Sequence, residues 1–82
     1  MDFIKLETQE QFDQLQKSDV VIVKWKEGAR QYKELGQITH HDSCEINRLN
    51  ELILNKRRND YFFIENYLKG KSYASEVYVV AQ

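Results

Sequence analysis

The chain has 82 residues, 12 basic and 13 acidic side chains, a net charge of −1, one cysteine and no proline. That length holds one domain, and a lone cysteine excludes a disulfide framework. The near-neutral balance excludes the overall basic excess of a dedicated nucleic-acid binder, while 41% hydrophobic and 12% aromatic residues exclude a disordered chain.

Phe3 to Leu6 reads as a first strand. Thr8 and Gln11 then have the spacing of a capping box, and the helix they open is expected to reach about Lys17, with Phe12 and Leu15 on its apolar side. Ser18-Asp19 ends it. Val20 to Val23, followed by Lys24 and Trp25, is apolar on both faces, as a central strand requires. Lys26-Glu27-Gly28 is a turn, and Gln31 to Ile38 is a candidate return strand interrupted by Gly36.

Asp42 and Glu45 have the spacing of a second capping box. Ile46, Leu49, Leu52 and Ile53 share one helical stripe, which predicts a helix ending near Arg57-Arg58, before Asn59-Asp60. Tyr61–Leu68 and Tyr73–Val80 are aromatic and β-branched on either side of Lys69-Gly70-Lys71-Ser72, which predicts a β-hairpin. A four-residue loop sets Phe62 opposite Val79, Ile64 opposite Val77 and Leu68 opposite Tyr73. The expected fold is therefore α+β, a single domain over residues 1–82. It is a two-layer sandwich with two helices on one face of a mostly antiparallel sheet of four to five strands, a ferredoxin-like variant.

Residues 3–25, through Phe12, Leu15, the Val20-Val21-Ile22-Val23 run and Trp25, also resemble the β-α-β opening of a thioredoxin-like domain. Where that family has a redox C-x-x-C, this chain has Lys26-Glu27-Gly28-Ala29-Arg30, so the resemblance implies a fold element and no redox activity.

Three groups of residues are candidates for function. In the hairpin register, Tyr61, Phe63, Tyr67, Tyr78 and Val80 share one face, and tyrosine suits a surface that is apolar yet tolerates water. This face, or the free edge of the last strand, is expected to dock a protein partner or a second copy of the chain. Lys56, Arg57 and Arg58 precede the aromatics 61–63, and cations beside stacking rings suit single-stranded nucleic acid. A helix C-terminus also accounts for that run. His40, His41, Cys44 and Glu45 form an alternative metal or thiol site, although a closed zinc site needs four ligands and no second Cys/His cluster supplies the rest.

No glycine-rich phosphate loop, nucleophile elbow or zinc-protease motif occurs, so a non-catalytic protein–protein interaction or assembly module with no cofactor is expected. A size of this order fits a bacterial or phage accessory protein. No apolar run approaches the roughly 18 residues that cross a bilayer, and a single thiol fits a reducing interior, so a soluble cytoplasmic setting is expected, with no membrane partner.

Overall fold

Val21-Ile22-Val23 is buried throughout, and in the computed structural model it forms an inner strand of an antiparallel sheet. The structure describes residues 2–32 and 37–81. In chain order the elements are β1 Asp2–Lys5, α1 Gln9–Asp13, β2 Val21–Trp25, β3 Ile38–His41, β4 Glu45–Ile46, β5 Glu51–Asn55, β6 Asp60–Phe63, α2 Ile64–Leu68 and β7 Ala74–Ala81. They make an α+β fold with antiparallel strand pairing and two short helices. The strands divide into a four-stranded sheet, β1-β7-β2-β3, and a three-stranded sheet, β4-β5-β6.

The β1-α1-β2 opening is a split unit, because β7 runs between β1 and β2 and pairs with both. Its register places Val79 between Ile4 and Val21, and Val77 opposite Val23. The capping box forms as expected: the Thr8 hydroxyl accepts from the Gln11 N–H, and the Gln11 side chain accepts from the Thr8 N–H. The helix stops at Asp13 rather than Lys17. Asp19 explains this, because its carboxylate accepts from the Gln16 N–H at 2.8 Å and draws residues 16–19 into a turn. Of the candidate return strand Gln31–Ile38, residues 33–36 lie outside the described residues, and the pairing with β2 begins at Ile38.

Residues 45–57 are not a helix. They form a β4–β5 hairpin and the turn into β6, and asparagines decide the outcome. Asn47 Oδ1 accepts from the Leu49 and Glu51 N–H groups, each at 3.0 Å, and Asn50 has φ 61°. Asn side chains offer the backbone this local alternative and tolerate the left-handed region, which a helix interior does not allow. Leu49 is consequently 64% exposed, while Leu52 and Leu54 are buried in strand alternation. Asn55 Oδ1 accepts from the Arg57 and Arg58 N–H groups, and Asn59 has φ 57°, so the basic run is a β5–β6 turn and not a helix end.

The predicted 61–80 hairpin is also absent. Phe62 pairs with Leu52, and Val79 and Val77 pair with β2, so Phe62–Val79 and Ile64–Val77 are not cross-strand pairs. Residues 64–68 coil because Ile64 and Tyr67 turn one side inward while Glu65 and Lys69 form an i,i+4 ion pair at 2.9 Å outside. Lys71 N–H then donates to Asn66 O and Gly70 N–H to Tyr67 O, with Gly70 at φ 74°, a Schellman closure.

Phe62 is the hub of the core. It meets Phe12 and Trp25 edge-on, each at 6.4 Å, and Tyr67 at 5.7 Å, and so joins the second sheet to both helices and to β2. Leu6, Phe12, Val21, Val23, Leu52, Ile64 and Val77 are fully buried around it. Both helices and both sheets thus contribute side chains to one core.

Candidate functional site

Two adjoining clefts run along the join between the β5–β6 turn, the 29–31 loop and the segment before β7. One, of about 590 Å3, is lined by Arg30, Thr39, His41, Arg57, Arg58 and Asp60. The other, of about 420 Å3, lies beside Tyr61, Phe63, Asn66, Lys71 and Tyr73. Arg30, Gln31 and Asn59 line both, so the two clefts adjoin, and together they are called the trough.

Arg30 braces this trough. Its guanidinium donates to Arg58 O, to Asn59 O at 3.1 Å and to the carboxylate of buried Asp60 at 2.9 Å. Gln31 Nε2 donates to the same Asp60 oxygen at 2.9 Å. A buried carboxylate needs such partners, and here they tie the 29–31 loop to the turn that carries Arg57 and Arg58. Arg57, Arg58 and Lys71 form no ion pair with any described carboxylate. Among the described residues the walls carry four cations against one carboxylate, Asp60, on a chain whose net charge is −1.

Tyr61, Phe63 and Tyr73 are 46%, 43% and 62% exposed. The first two alternate with buried Phe62 on β6, so strand geometry turns both outward, with ring centroids 6.4 Å apart. Tyr73 is held by its backbone, whose carbonyl accepts from the Lys26 N–H at 2.7 Å. Its ring lies over Gly28, within 3.7 Å of where a Cβ would stand.

His41 forms part of the lining. Trp25 Nε1 donates to Thr39 Oγ1 at 2.7 Å, and Thr39 Oγ1 lies 3.0 Å from His41 Nε2. With one lone pair engaged by the indole, the hydroxyl proton is available to Nε2, which suits a neutral ring protonated at Nδ1. Burial favours that state and lowers the His41 pKa, against an opposing pull from Asp60.

The residues expected to form one docking face are dispersed. Tyr61 and Phe63 stand on the outer side of β6. Tyr67 is interior: its hydroxyl donates to Leu6 O at 3.0 Å and accepts from the Val77 N–H at 3.2 Å. Tyr78 and Val80 lie on the open face of the first sheet, opposite Lys5 and Phe3. There the Tyr78 hydroxyl donates to Glu76 at 2.6 Å, and Glu76 also pairs with Lys24 at 3.4 Å. β7 is hydrogen-bonded on both sides, so the sheet's free edges belong to β1 and β3.

The basic run also divides. Arg57 and Arg58 line the trough, while Lys56 turns to Glu45 at 3.2 Å and holds that carboxyl below the usual range, helped by Lys17. The His40–Glu45 group does not converge. His40 is exposed and His41 buried on opposite faces of β3, and Cys44 Sγ donates to Gln16 O at 3.4 Å. Burial raises the Cys44 pKa to about 11, and no helix N-terminus is present there to lower it. Among the described residues, no three His, Cys, Asp or Glu side chains form a metal-binding group. Sequence reading found Arg57 and Arg58 near the aromatics. It assigns His41 to a metal or thiol site and gives no role to Arg30, Lys71 or Tyr73, which only tertiary pairing brings to the same place.

No known family, curated protein or solved structure matches the chain.

Proposed function

We propose that the protein is a non-catalytic binding module that holds an anionic chain in the trough between the β5–β6 turn and the segment before β7. One observation carries this reading: among the described residues, four cations against a single carboxylate line two adjoining clefts of a chain with net charge −1. Charge concentrated in a concave wall focuses the field on a ligand even when the total is near zero. Asp60 is already occupied by Arg30 and Gln31, which leaves Arg57, Arg58 and Lys71 to act on the ligand. The single buried thiol suits a reducing, cytoplasmic setting.

Fluorescence anisotropy with labelled heparin at low salt tests the reading. Binding that weakens as salt is raised is the expected result. No binding at any salt concentration would overturn it.

A second reading is protein contact or self-association through the open face of the first sheet. Phe3 and Ile38 are exposed there, beside half-exposed Tyr78 and Val80, where a solvated face is usually polar. Light scattering on the concentrated protein decides whether the second molecule is another copy. A strict monomer removes self-association.

A further inference from the structure

We propose that the anionic chain is a single-stranded nucleic acid, whose unpaired bases stack on Tyr61, Phe63 and Tyr73 while its phosphates follow Arg57, Arg58 and Lys71. This rests on the trough being the binding surface, and adds what the aromatic residues require. Cations alone would accept any polyanion. Three exposed rings beside them select for a ligand with flat faces of its own, and every nucleobase has one. A duplex keeps those faces inside its own stack, so the rings can meet bases only where the strand is unpaired. An acidic peptide satisfies the arginines and leaves the rings in water.

The arrangement of the rings supports the assignment. Tyr61 and Phe63 sit on a strand, where alternation around buried Phe62 fixes their direction. Tyr73 is held against Gly28. These are platforms set by backbone, not side chains swinging at a loop tip, so a base stacking on them orders little that is not already ordered. Arg57 and Arg58 line one cleft, and Lys71 lines the other together with the three rings. A strand that occupies both clefts meets cations in each and stacking rings in one. The lining also includes Asn59 and Asn66, whose amides offer donors and acceptors to base edges.

The test uses the full chain and four labelled probes: a mixed-sequence single-stranded oligonucleotide, its duplex, heparin and poly-L-glutamate. Anisotropy is read against salt for the wild type and for Tyr61→Ala, Tyr73→Ala, Tyr73→Phe and R57Q/R58Q. All the replaced side chains are exposed, and a thermal melt of each variant confirms the fold.

The expected result is binding of the single strand in preference to its duplex and to poly-L-glutamate. Each tyrosine-to-alanine change should weaken single-strand binding roughly tenfold while leaving heparin binding unchanged. Tyr73→Phe, which keeps the ring, should restore it. R57Q/R58Q should weaken every probe. If heparin binds but the alanine variants hold the oligonucleotide as well as wild type does, the nucleic-acid assignment is wrong and the basic trough stands. Preference for poly-L-glutamate would assign an acidic protein segment instead. If none of the four probes binds at low salt, the trough reading fails and this inference fails with it.

Discussion

His41 is 9% exposed, and its Nε2 lies against Thr39 in a chain that ends on the indole of Trp25. Desolvation holds its pKa below the ordinary 6.5, with Asp60 and Asp42 opposing and His40 and Arg58 assisting. The unfolded chain therefore binds a proton on this ring at a higher pH than the native chain does. The contribution of His41 to stability is complete above the ordinary value and is lost as pH falls through the folded one. Urea midpoints measured between about pH 8 and pH 5 should fall on the acid side in the wild type, and the part due to His41 should be absent in His41→Gln. Because Trp25 is the only tryptophan and shares the chain, its fluorescence should titrate with the same midpoint. An unchanged acid limb in the variant would place the proton elsewhere. Cys44 behaves in the opposite sense: burial keeps it a thiol, so alkylation should be slow in the native protein and rapid in urea. Fast native alkylation would revive the thiol site.

Short elements with strong ends carry this fold, and α2 shows how. Its five residues are closed by Gly70 at φ 74°, where an L side chain is strained. Nothing lies within 4 Å of a Cβ built there, so Gly70→Ala tests backbone strain free of any clash. The expected loss is about 1 kcal/mol, read as a shift in urea midpoint. A neutral result would mean that the Schellman closure does not hold the helix end. The same local chemistry explains what the sequence allowed to be read. Thr8 with Gln11 and the Val20–Val23 run were legible because cap and strand are both decided by near neighbours. Residues 45–57 were not, since Leu52 fits a helical stripe and a strand alternation equally well. The choice is made by Asn47 and Asn50, whose turn sets β5 so that Leu52 and Leu54 are both buried. Residues 61–68 were misread because a strand and a helix meet at Phe63–Ile64 with no glycine or proline between them. At the site, Arg57, Arg58 and Tyr61 were legible as neighbours in the chain. Tyr73 joins them through a backbone bond from Lys26, a contact that no periodicity encodes.

At the scale of the molecule, the distribution of charge matters more than its sum. The carboxylates of Glu45, Glu65 and Glu76 each hold a lysine outside the trough, at Lys56, Lys69 and Lys24. Those exposed pairs contribute little to stability individually, but they neutralise lysines that would otherwise compete for a polyanion. Among the described residues Lys26, Arg48, Arg57, Arg58 and Lys71 form no ion pair, and of these Arg57, Arg58 and Lys71 line the trough, where three phosphate contacts correspond to a slope of about −2 in log affinity against log salt. Position can be separated from total charge with substitutions that change the net charge equally. Arg58→Gln and Lys69→Gln each remove one positive charge from an exposed side chain. If the trough is the binding surface, Arg58→Gln should weaken oligonucleotide binding several-fold and flatten the salt slope by roughly 0.7, while Lys69→Gln changes neither. Equal losses in the two variants would mean that the ligand responds to the overall charge, and the two adjoining clefts would then have no bearing on binding.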